Sequence, residues 1–286
     1  MKWRGRRGSS NIVDRRRSSG GRRGGLALGG AGGMGVLAIV VIGWFFGIDL
    51  SPLLQDGAPT SSSGGGQVTA ADEEAAQFVS VTLADTEEVW AQLFETQVGE
   101  SYDPARLVLF KGVTQSPCGG ASGATGPFYC PSDRTAYLDT AFFTTLSERL
   151  GAKGDFAAAY VVAHEVAHHV QNELGILGQA NRIRGQSSQE DANRISVRIE
   201  LQADCFSGIW ARQAERQFGS LEPGDVDEAM NAAAQIGDDR LQRGAGRTPQ
   251  PESFTHGTSE QRQRWFETGY NSGEIQSCDT FSATRL

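Results

Sequence analysis

Histidine is scarce in this chain: there are four, and three of them, His164, His168 and His169, fall within the ten residues VVAHEVAHHV. Cysteine is as scarce, at four, and no CxxC pair occurs, which speaks against a zinc knuckle. No histidine follows His168 at the spacing of HExxHxxGxxH, since residues 169–178 read HVQNELGILG. No internal repeat is present. Lys and Arg are missing between Asp49 and Arg106, and charge of either sign is missing between Arg23 and Asp49.

What charge there is falls into two unlike parts. Residues 1–25 carry nine Lys/Arg against one acidic residue, and the remainder carries 17 basic against 33 acidic, for a net −8 over 286 residues. The uncharged stretch after the basic arm contains VLAIVVIGWFFGI and is long enough to cross roughly 30 Å of hydrocarbon as a helix. It is longer than the apolar region of a secretory signal, of about 7–15 residues, and ends in Phe-Gly-Ile-Asp rather than at a small-residue cleavage site. The sequence therefore predicts a basic cytoplasmic arm over 1–25 and a transmembrane helix over 26–48. By the positive-inside rule the N-terminus is cytoplasmic and everything after the span lies outside. A nucleic-acid role for RRRSSGGRR is set aside, because an arm next to an apolar span serves topology or anionic lipid.

Residues 49–70, rich in Ser, Gly and Pro, read as a flexible linker, and 71–286 as the folded domain. RLVLFKGV (106–113) and TAYLD (135–139) read as strands. Helical patterns cover 71–98 and then roughly 141–150, 155–174, 188–217, 224–242 and 259–270, with Gly175, Gly219 and Gly273 at helix ends. The expected class is α+β, predominantly helical, with a small sheet preceded by one transmembrane helix. An even number of cysteines outside the cell implies two disulfides, and of three pairings we expect Cys118–Cys130, closing a short loop, and Cys205–Cys278, tying the chain end to a central helix. The strand TAYLD is also a candidate edge against which an extended peptide could pair.

Within 155–174 there is no proline or internal glycine, and Asp155 is placed to cap the first turn. His164 and His168 stand four residues apart, one helical turn, so both imidazoles leave the same face and can bind one ion. Glu165 beside them is placed to take a proton from a metal-bound water. The flanking Val161, Val162, Ala163, Val166, Ala167 and Val170 suit a buried helix rather than a surface helix with chance histidines.

A third ligand has to come from further on, and IELQADCFSGIW supplies two carboxylates one turn apart in apolar surroundings, which are costly to bury without a cation or hydrogen-bond partner. In our assignment Glu200 binds the ion and Asp204 accepts the free ring N–H of a ligand histidine. The reverse assignment and an ion pair to Arg194 or Arg198 are the alternatives. His256 lies just before a capping box formed by Thr258 and Gln261. It serves either to stabilise an oxyanion or only to hydrogen-bond the helix start, with a fourth metal ligand as a lesser alternative. His169, about 100° around the helix from His168, is taken either as structural or as a partner behind the ligands.

The segments MKWRGRRGSSNIVDRRR, CGGASGATGPFYCPSDRTAYLD, HEVAHHVQNELGI, ELQADCFSGIW and FTHGTSEQRQRWF together resemble the neutral zinc metallopeptidase family of bacterial membrane-anchored proteins. The resemblance implies a zincin-like fold, one Zn2+ held by His164, His168 and Glu200, Glu165 as general base, and Asp204 behind a ligand histidine. The expectation is a single-pass protein of the bacterial cytoplasmic membrane whose extracytoplasmic domain is a zinc-dependent endopeptidase acting on peptides or proteins. Two rivals are a catalytically inactive, zinc-stabilised tethered binding module and a hydrolase of cell-wall amides. No nucleic-acid partner is expected, and the sequence does not specify an oligomeric state.

Overall fold

The computed structural model describes residues 1–17, 67–122 and 126–286. In chain order the elements that matter to the site begin with β1 (Ile12–Asp14), α1 (Ala70–Leu93), β2 (Arg106–Phe110) and the hairpin β3 (Val113–Ser116) and β4 (Gly119–Ser122). Then come β5 (Phe128–Cys130), β6 (Thr135–Asp139), α2 (Asp155–Glu173) and α3 (Ile176–Arg184). The chain ends with α4 (Gln189–Phe218), α5 (Asp225–Gln235), α6 (Asp238–Gly244) and α7 (Ser259–Ser272).

Four strands form one sheet in the order β1-β2-β6-β5, parallel except for the β6–β5 pair. Leu107, Leu109, Ala136 and Leu138 point from it into the main helical core, while Val108, Phe110 and Tyr137 cover the other face with Cys130. Both faces of the central strands are thus apolar, as a parallel pair covered on two sides requires. Since β6 is hydrogen-bonded to β2 on one side and β5 on the other, TAYLD is not a free edge. Over Thr135–Tyr137 both of its sides are paired.

The N-terminal arm is part of this domain. β1 pairs with β2 in register Ile12–Leu107, and Met1 and Trp3 are buried in the main core, Trp3 edge-on to Phe78 of α1 at 5.5 Å between ring centroids. The arm's cations meet the acidic face of α1: Arg6 bonds Asp85 at 2.6 Å, Arg7 bonds Glu88 at 2.7 Å, and buried Arg16 binds Glu73 at 2.9 Å as well as Asp14. The Met1 ammonium sits among Asp155, Glu222 and Asp225. The segregated charge is therefore complementarity within one fold.

This corrects the expected topology. A chain that crosses a bilayer once places the residues before and after the span on opposite sides, and a strand inside a sheet cannot be separated from its partner in that way. Residues 26–48 and most of the linker lie outside the described residues. Among the described residues no helix is long and apolar enough to cross a membrane. The transmembrane element of the fold class, the single-pass location with a cytoplasmic arm and the membrane as partner are withdrawn.

The helical reading differs from the structure in smaller ways. α3 was not anticipated, and the expected 224–242 helix breaks at Gly237 into α5 and α6. Asp155 does not cap α2, whose N-cap is Gly154; its side chain holds the Met1 ammonium, and the N–H of Phe156 is taken by Glu228. The capping box of Thr258 and Gln261 is present at the start of α7. Cys118 is bonded to Cys130 and Cys205 to Cys278.

The crossing of α4 and α7 positions the site. A Cβ on Gly269 of α7 would lie 1.8 Å from the carbonyl oxygen of Cys205, and one on Gly208 of α4 would lie 2.0 Å from that of Phe266. Backbone meets backbone there, with no flexible side chain to yield. Gly269→Ala is expected to lower stability by about 2 kcal/mol or more, the cost of overpacking a tight contact. Gly178→Ala in α3, where the nearest atom is 3.7 Å away, is expected to raise it by up to about 1 kcal/mol through helix propensity. Thermal unfolding of both variants checks the pair.

Candidate metal centre

α2 is buried almost all round, and its alanines and valines bring α4 close beneath it. The imidazoles of His164 and His168 project from one face, their centroids 4.8 Å apart and their planes nearly perpendicular. Glu200 of α4 meets them: its Oε2 lies 3.0 Å from His164 Nε2 and its Oε1 3.6 Å from His168 Nε2. One ligand atom from each of these three residues lies within 4.8 Å of the others. Two imidazole nitrogens and a carboxylate are a donor set that suits zinc.

The remaining ring nitrogens are taken from behind. His164 Nδ1 donates to Asp204 Oδ1 at 3.0 Å, and His168 Nδ1 to Gln171 Oε1 at 2.9 Å. Each bond places an N–H on Nδ1 and turns Nε2 toward Glu200. Asp204 is fully buried and also receives Arg262, whose Nε and Nη2 reach its two oxygens at 2.8 and 2.9 Å, and the hydroxyl of Tyr160. Oδ1 of Asp204 is thus shared by His164, Tyr160 and Arg262, while Oδ2 accepts Arg262 Nε. Arg194 pairs with Glu190 and Asp191, and Arg198 bonds carbonyls of the chain end, so neither neutralises Glu200 or Asp204.

Protonation follows this geometry. Burial disfavours a charged His164, but the bonds to Asp204 and Glu200 outweigh it and raise its pKa to about 9. Burial likewise works against ionised Glu200, yet the charges of His168, His256 and His164 hold it well below the ordinary range. His168 is lowered by burial. Glu165, 8% exposed, is pushed up to about 7 by burial, with His164 opposing. Among the described residues no hydrogen bond holds its carboxylate.

His256 stands on the loop before α7. Gly257, with φ of +91°, lets that loop lie against α4, where a Cβ would press on Leu201 and Val197 at 3.2–3.3 Å. The Asp238 carboxylate accepts the backbone N–H groups of Thr255, His256 and Gly257 and lies 3.4 Å from the ring Nδ1 of His256. Burial lowers the pKa of His256, but Glu200 and Asp238 outweigh it and the net shift is upward. His169 is engaged elsewhere, by Tyr129 and the carbonyl of Asp103.

Five residues that frame this centre were not singled out from the sequence: Tyr160, Gln171, Gln202, Asp238 and Arg262. Arg262 did leave a signal. It shares one face of α7 with Trp265, Phe266 and Gly269, the i, i+3, i+4, i+7 set of a buried stripe, and a cation there needs a buried anion.

The model of the family described as "Putative neutral zinc metallopeptidase" matches residues 1–281. The chain belongs to that family. It is 45% identical to YpfJ, an uncharacterized protein of Escherichia coli K12, over 98% of this chain and 99% of that one. An uncharacterized protein of Mycobacterium bovis, Mb2605, is 43% identical over 74% of each. No solved structure matches the chain.

Removing Arg262 leaves a buried carboxylate with its main counter-charge gone. Arg262→Met is expected to destabilise the metal-free protein by about 3–5 kcal/mol, read by denaturant unfolding. A loss under about 1 kcal/mol contradicts the ion pair as drawn.

Proposed function

We propose that this protein is a zinc-dependent peptidase in which His164, His168 and Glu200 hold the ion and Glu165 is the general base. The observation that carries the reading is the meeting of two imidazole Nε2 atoms and one carboxylate beside a second carboxyl whose pKa burial raises to about 7. Zinc bound there would acidify a water and polarise the carbonyl that it attacks. Glu165 takes the proton of that water, for which a pKa near the working pH is suited, and passes it to the leaving amine. His256, held by Asp238 and carrying its raised pKa, donates to the oxygen that gains charge as the carbonyl is attacked. Asp204 and Gln171 keep both ligand rings in the tautomer that faces the ion.

A scaffold that merely binds zinc needs the ligands but has no use for Glu165. Glu165→Gln is expected to keep fold and zinc while turnover of a peptide library falls by at least about 10²-fold. Equal cleavage by variant and wild type removes the enzyme reading. His256→Ala is expected to retain zinc and lose about 10²–10³-fold in kcat, the cost of one oxyanion donor.

Zinc binding is also expected to release a proton. With its pKa near 9, His164 is charged at pH 7 in the metal-free protein, and a ligand imidazole must be neutral. Affinity therefore rises with pH up to about 9. Calorimetry in buffers of different ionisation enthalpy measures the release, and a buffer-independent heat contradicts it.

A further inference from the structure

Behind His168 the bond to Gln171 continues into a chain of buried amides that reaches the end of the protein. Gln171, fully buried one turn along α2, accepts the His168 Nδ1 proton on its Oε1 at 2.9 Å. Its Nε2 donates to the carbonyl of Ile199 at 2.8 Å and to Oε1 of Gln202 at 3.0 Å. Gln202, also buried, donates from its Nε2 to the carbonyl of Cys278 at 2.9 Å. Cys278 is fixed in turn by its disulfide to Cys205 of α4.

Every donor in this chain points away from His168. The Ile199 and Cys278 carbonyls can only accept, so they force the NH2 of Gln171 and of Gln202 toward themselves and leave an amide oxygen facing the imidazole. The orientation of Gln171 is therefore dictated from the far end. If its amide were turned over, it would present NH2 to the imidazole and oxygen to two acceptors.

We propose that Gln171 and Gln202 are positioning residues that fix the Nδ1–H tautomer of His168, so that the disulfide-tied chain end sets one ligand of the metal centre. This rests on His168 being a ligand. Breaking the relay at either amide leaves all three donor side chains in place and changes only which nitrogen of His168 carries the proton. Groups that orient ligand histidines are worth about 10–100-fold in metal affinity.

The test uses the full chain with Gln171→Met, Gln202→Met and His164→Ala, methionine being close in length and unbranched. Zinc affinity is measured against a chromophoric chelator, thermal unfolding is followed without metal, and imidazole 15N shifts of the metal-free protein report the tautomer. The expected result is a 10–100-fold loss of affinity for Gln171→Met, a smaller loss for Gln202→Met, and in both a mixture of His168 tautomers where the wild type shows Nδ1–H alone. The 15N shifts separate positioning from a general loss of packing, which would not change the tautomer. If His164→Ala loses zinc while both methionine variants stay within twofold of wild type and keep the Nδ1–H form, the relay is overturned and the metal centre stands. If His164→Ala binds zinc as wild type does, the metal centre fails and the relay with it. Should one methionine variant not fold, the other decides by the same readouts.

Discussion

The centre depends on one buried carboxylate. Asp204 has no exposure, and its oxygens accept two bonds from Arg262, one from Tyr160 and one from His164. A carboxylate in that position would be prohibitive alone, and an arginine there would be equally so. Together they join α4, α7 and α2 at one point, and the direction left open to His164 is the one that faces Glu200. Coordination geometry and helix packing are in this sense one constraint. Gly208 and Gly269 let the backbones of α4 and α7 meet at the same crossing.

Around that point the two histidines proposed as ligands are treated differently. His164 leans on an ionised group and is charged in the metal-free protein, whereas His168 leans on a neutral amide and its pKa is lowered. The arrangement holds one ring by charge and the other by a directional hydrogen bond. On the proposed reading only the first would exchange a proton for the ion. Glu165, between them in sequence, has burial without a partner, which is what keeps its carboxyl near neutrality while Glu200 stays ionised.

How much of this the sequence disclosed depended on how local the signal was. The spacing of His164 and His168, the pair Glu200 and Asp204, and the cap at Thr258 all lie within one or two helical turns, and periodicity reads them directly. Arg262, Asp238 and Gln202 act across 58, 18 and 76 residues of chain, and no period connects them. The N-terminal arm shows the opposite failure. Its cations were read against the nearest apolar stretch in sequence, although their partners are the carboxylates of α1, and a three-residue strand such as Ile12–Asp14 is too short to announce its pairing.

The most direct test of the central claim is X-ray absorption at the zinc edge of the purified, zinc-loaded protein. Two imidazole nitrogens and light oxygen donors at about 2.0–2.2 Å, with no sulfur, are predicted, and the imidazole signal should fall by half in His168→Ala. A sulfur scatterer at about 2.3 Å, or an unchanged imidazole signal in that variant, contradicts the account.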